Sequence, residues 1–140
     1  MAFRISLDMK NALCSDVVKY LAGTYGTAGT ASLTIRAGSQ PGSADSSGTG
    51  ATLCVISGIG WGTDSVATTS GTALLYGTFS GTAGTSGTAE WARLECINAS
   101  GTCRIDGDVG TSVTNVFTIN VNSFSSGGEI NLLSANIYMA

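Results

Sequence analysis

Apolar and polar positions alternate most regularly between residues 88 and 107, TAEWARLECINASGTCRIDG. With Asn98-Ala99-Ser100-Gly101 as the turn, Glu95 faces Arg104 and Arg93 faces Asp106. Both are opposite-charge cross-strand pairs on one face. On the other face Leu94 meets Ile105, Cys96 meets Cys103 and Ala92 meets Gly107. A slip of one residue would set charges against apolar groups, so the segment specifies its own register. It reads as a β-hairpin with one apolar and one charged face. Asn98 opens the turn, and Gly101 can take the left-handed conformation that closes it.

A helical period precedes it. Leu13, Val17 and Leu21 recur at every fourth position, joined by Cys14, Val18 and Tyr20, with Ser6 as a cap and Gly23 as a stop. The pattern predicts one amphipathic helix over 7–22. Period two then takes over: Ala31, Leu33 and Ile35 alternate with Ser32, Thr34 and Arg36. The stretch 38–50 has no strand former and reads as a long loop. Residues 51–56, ATLCVI, form an apolar run that suits a strand covered on both faces. GIGWG is a turn around Trp61, and the pattern allows a strand near 63–68. TALLYGTF (72–79) is a strand, with SGTAGTSG as its turn; DVGTSVT (108–114) is a connector. In 116–121, Phe117, Ile119 and Val121 share a face. After an SSGG loop, a last strand over 129–139 puts Leu133, Ala135, Ile137 and Met139 on one face.

About seven to eight short strands between Gly-rich turns predict a mainly β domain. An antiparallel sandwich or barrel with one N-terminal helix is expected. The chain is read as a single domain: an arm at 1–5, the helix at 7–22 and the β domain at 31–139. Gly-Thr dipeptides recur at irregular spacing, which argues against a solenoid.

Composition sharpens this. Of 140 residues, 43% are apolar, which is enough for a core. Charged residues are 11%, against roughly 25% in an ordinary soluble domain. A surface filled with Gly, Thr, Ser and Ala suits contact with other protein better than isolation in dilute solution. The net charge of −3, without a basic cluster, makes nucleic acid an improbable partner. No apolar run is long enough for a transmembrane helix, and the N-terminus does not read as a signal peptide. Synthesis in a reducing cytosol is expected.

The residues offer little chemistry. With no histidine, Ser-His-Asp, Cys-His and His-metal sites cannot be built. The acids Glu95 and Asp106 already have arginine partners, which argues against a raised-pKa catalytic acid. Asp106-Gly107-Asp108 could offer oxygen ligands to calcium, but no EF-hand pattern surrounds it; the alternative is a polar end of the hairpin. Cys96 and Cys103 stand opposed, either as a disulfide or as two small buried hydrophobes, and a reducing compartment favours the second. Their six intervening residues do not match a zinc ribbon. Asn98-Ala99-Ser100 matches a glycosylation sequon, a chance match without secretion. Trp91, on the charged face, suits a contact partner and packing under a loop equally; Trp61, between glycines, suits a core plug. No cofactor is implied.

Three stretches together resemble a group of small tailed-bacteriophage proteins. LTIRAGSQPGSAD (33–45) is similar to the group's strand followed by a G-x-Q-P loop. GTAEWARLECINASGTCRIDGDVGTS (87–112) resembles its segment with G-T-A-x-W-x-R-L and D-G-x-V-G-T-S. FTINVNSFSSGGEINLLSANIYM resembles its closing strands. The departures are the cysteines and the irregular VTNVFTINV stretch. The resemblance implies a virion structural component without catalytic residues, a decoration (cement) protein on the head exterior. Its expected partners are the major capsid protein and copies of itself. Phe3 and Ile5 of the arm, and Trp91, are the interface candidates. A tail or fibre component and a carbohydrate-binding module using Trp91 or Trp61 are the alternatives.

Overall fold

The structure is a computed structural model that describes residues 4, 6–21, 31–60, 66–69, 72–98 and 101–138. Helix α1 spans Leu7–Leu21. Its first turn is capped as the sequence suggests: the Met9 amide donates to Ser6 Oγ at 3.2 Å, and the Lys10 amide to the Ser6 carbonyl. The expected stop at Gly23 lies outside the described residues. The line that α1 buries runs through Cys14 and Val17. Leu13, expected on that stripe, is exposed together with Leu7 and Met9.

Among the described residues ten strands follow: β1 Ala31–Arg36, β2 Thr52–Ile59, β3 Val66–Thr69, β4 Thr72–Thr82, β5 Gly87–Thr88, β6 Trp91–Asn98, β7 Gly101–Gly110, β8 Phe117–Ile119, β9 Ser123–Phe124 and β10 Glu129–Tyr138. Eight form one sheet in the order β2-β1-β6-β7-β8-β10-β4-β3; β5 and β9 make a small second sheet. The protein is therefore mainly β with one N-terminal helix. The expectation of purely antiparallel pairing needs one correction, because β7 and β8 run parallel, with Val109 opposite Phe117 and Gly110 opposite Thr118.

The hairpin register is the one the sequence specifies. Glu95 pairs with Arg104, Arg93 with Asp106, Leu94 with Ile105 and Cys96 with Cys103. On its other edge β6 pairs with β1, placing Arg36 opposite Trp91 and Thr34 opposite Arg93.

The sheet nearly closes into a barrel where the end of β4 meets β2. Cys54 and Ala83 form a bridge, and the Leu53 carbonyl accepts from the Gly84 amide at 2.9 Å. Gly81 permits this approach: a Cβ there would come within 2.8 Å of the Val55 carbonyl oxygen. The segment 80–87 is thus not simply a turn. β4 runs on to Thr82, and β5 begins at Gly87. The barrel interior holds Leu33, Ile35, Ile56, Leu94, Phe117, Ile119, Leu132, Ala135 and their neighbours. Helix α1 touches β3, β4 and β6. β4 and β6 are not neighbours in the barrel, so the helix lies across one end of it.

Bulges account for three departures from simple alternation. β2 is not covered on both faces, since Val55 is exposed. Leu53 and Cys54 both point inward because the β1–β2 register shifts between Ile35 and Arg36. A second shift, between Ala31 and Leu33, coincides with Gly58 at φ 69°, the conformation a glycine bulge requires. In β10 a bulge between Leu132 and Ser134 turns Leu133 outward, while Ile130, Leu132, Ala135 and Ile137 face the core. Met139 lies outside the described residues. β8 is shorter than the 116–121 alternation predicts. All three of its residues are buried, and Val121 is an exposed residue beyond it.

Candidate interaction surface

The charged face of the hairpin does not meet solvent along its whole length. At its base, the 38–50 loop folds back over Trp91. Arg36 Nη1 donates to the Gly50 carbonyl at 3.1 Å, and Arg93 Nη1 to the Ser46 carbonyl at 2.8 Å. Glu90 Oε2 accepts from the Gly38 amide, and Thr49 Oγ1 donates to the Ser39 carbonyl. The Arg36 and Arg93 guanidinium carbons sit 5.9 and 5.8 Å from the centroid of the Trp91 ring. Trp91 is left only 2% exposed, with its indole nitrogen buried and without a hydrogen-bond partner. The sequence placed Trp91 on the correct face, but the loop removes it from the interface candidates. A sugar-stacking platform at Trp91 is excluded by the same burial.

Arg93 and Asp106 join through two bonds of 2.7 Å, with side chains 11% and 4% exposed. The bond to Asp106 raises the pKa of Arg93 further above its usual value. Glu95 and Arg104 meet at 2.6 Å, both side chains 34% exposed. Asp108 accepts from Asn115 Nδ2 at 2.6 Å and from the Val116 amide at 3.0 Å, which folds residues 111–116 into a tight turn. The two carboxylates of the Asp-Gly-Asp motif are therefore engaged by protein donors. Among the described residues no group of three or more Cys, Asp or Glu is placed to hold a metal ion.

Cys96 and Cys103 are not joined by a disulfide, so the bridge that the opposed pair would allow is not formed. Burial, and then the neighbouring Cys103 thiol, push Cys96 up to about 11. Burial also pushes the Cys54 thiol up. Phe3, Ile5 and Trp61 lie outside the described residues.

Several large apolar side chains remain at the surface. Val113 is 78% exposed on the 111–116 turn, Tyr138 63% at the end of β10 and Leu7 52% on α1. Met9, Leu13, Val55, Leu133 and Val121 join them. Close to Tyr138 lies an open groove of about 260 Å³, lined by Ile105, Asp106, Val116, Asn136, Ile137 and Tyr138. The sequence did not foresee it. It exists because the chain before Val116 leaves the sheet through the 111–116 turn and does not run between β7 and β10. Among the described residues no helix is long and apolar enough to cross a membrane.

Comparison with known protein families, with curated proteins and with solved structures finds no match.

Proposed function

We propose that this protein is a non-enzymatic structural component of a tailed-bacteriophage particle, binding the exterior of the head as a decoration protein. The observation that carries the reading is a charge-poor barrel with several large apolar side chains left at the surface outside its core. Val113, Tyr138, Leu7 and Met9 are exposed, while Asp106 and Glu95 are spent on ion pairs. Exposed apolar groups of this kind favour contact with other protein. A capsid lattice repeats each modest contact many times by symmetry, so no single patch has to be large. The motifs of 33–45 and 87–112 support the same assignment. In this role the protein would bridge neighbouring major capsid protein subunits and touch copies of itself. Burial of Trp91 leaves the carbohydrate-module alternative without its main anchor.

Quantitative mass spectrometry of purified particles tests the proposal. The chain should be present in a copy number comparable with that of the major capsid protein. Particles made without it should lose their heads at a lower temperature. Its absence from particles, or a copy number fitting a single tail ring, would remove the head assignment.

A further inference from the structure

Two strands of the barrel stand apart, with no strand among the described residues between them over part of their length. β7 has β6 on one edge along Trp91–Asn98. On the other edge it meets β8 at Val109 and Gly110. β10 meets β8 at Leu132, Ser134 and Ala135, and the Asn136 amide donates to the Val116 carbonyl at 2.7 Å. Before Val116 the chain leaves the sheet through the 111–116 turn, which is pulled aside by Asp108. The lane that a longer β8 would occupy is the groove between Ile105–Asp106 and Asn136–Tyr138. It continues the line of β8, with strand edges on both sides.

The lane has two faces. Ile105, Val116 and Ile137 belong to or pack against the core and form its floor. Asp106 and Asn136 belong to the outer face, and Asn136 Oδ1 is buried there without a hydrogen-bond partner. An unsatisfied buried acceptor costs roughly 1–3 kcal/mol. A strand that fits must therefore be apolar at alternate positions and bring a donor between them.

We infer that the groove receives the N-terminal arm of a second copy of this chain as an added β-strand. The arm, MAFRIS, has that alternation: Phe3 and Ile5 on one face, Arg4 and Ser6 on the other. Phe3 and Ile5 would extend the floor formed by Ile105, Val116 and Ile137. Arg4 carries five N–H donors and no acceptor. It is exposed, and it would supply the donor that Asn136 Oδ1 lacks. An arm given to a neighbour also brings that neighbour against Leu7, Met9 and Leu13, which a single chain leaves exposed. Strand addition supplies affinity through main-chain bonds and specificity through alternate side chains. The inference rests on the self-association in the proposed function, and it does not depend on where in a particle the protein sits.

The test uses purified full-length protein. Copies carrying Arg4→Cys with one tag are mixed with copies carrying Asn136→Cys with another, then oxidised; a wild-type mixture sets the background from the native cysteines. A cross-linked product bearing both tags is expected, at least tenfold above background. Its absence would overturn the inference. So would a double Arg4→Cys, Asn136→Cys chain that closes on itself alone, since the arm would then fill its own groove. As a second readout, deletion of residues 2–5 should convert oligomers to monomers by light scattering. It should also speed amide exchange at 101–106 and 137–138 at least tenfold. Unchanged oligomers and exchange would overturn the arm-in-groove contact while leaving self-association standing. A wild-type protein that is monomeric at every concentration would sink both.

Discussion

The base and the tip of the β6–β7 hairpin carry the same ion-pair chemistry in different surroundings. At the base Arg93 and Asp106 share two bonds of 2.7 Å, almost sealed beneath the 38–50 loop. Two residues nearer the turn, Arg104 and Glu95 share one bond of 2.6 Å, with about a third of each side chain in water. At the base the arginine does three things at once: it holds Asp106, ties down Ser46 and lies against Trp91. At the tip the pair holds only itself. A cross-strand charge pair is therefore structural when another element closes over it. Left open, it mainly sets register and solubility. The base belongs to the protein's own fold. The open side of the barrel, from the 111–116 turn to Tyr138, is the side that the proposed function turns toward partners.

Substitutions can break that comparison. Trp91→Ala should have the largest effect, about 3–5 kcal/mol, because it removes a buried ring and leaves the loop without its floor. A urea or thermal melt reads this, and a cost under 1 kcal/mol would mean the loop does not need the ring. Asp106→Ala should follow at about 3 kcal/mol, since the Arg93 guanidinium would be left buried with its main partner gone. Amide exchange in 38–50 should rise in the same variant. Glu95→Ala should cost least, about 0–1 kcal/mol, in the same melts. Equal costs for Asp106→Ala and Glu95→Ala would erase the distinction between the two ends.

The thiol pair near the tip sharpens the comparison through pH. The folded state holds the Cys96 proton more tightly than the unfolded chain, from an ordinary 9.0 to about 11. Stability from this group is fully present below pH 9 and declines as pH rises toward 11. Cys96→Ala should flatten that decline relative to wild type in thermal melts between pH 8 and about 11. An identical decline in both proteins would show that Cys96 does not titrate this way.

The hairpin was readable from sequence because charge pairing and apolar pairing agree on one register, and no other register satisfies both. Helix α1 and β1 were readable from their periods. The long loop was recognised as a loop, but its return over Trp91 was not. That return depends on Arg36 and Arg93 bonding to backbone carbonyls 14 and 47 residues away, and carbonyls leave no trace in residue identity. The bulges in β2 and β10 were hidden for a related reason: one extra residue reverses the alternation that pattern reading depends on. Leu133 and Val55 were therefore assigned to the inside, and both are exposed. The groove was hidden for a different reason. DVGTSVT reads as a connector, but its path away from the sheet depends on Asp108 holding Asn115 and the Val116 amide, which residue identity does not announce.

The most direct test of the account is a sub-nanometre electron-microscopy map of the phage head. The account predicts barrel-shaped density at regular lattice positions on the outside of the shell, with Val113 and Tyr138 turned toward protein neighbours. A complete map in which every outer density is explained by other chains would contradict it.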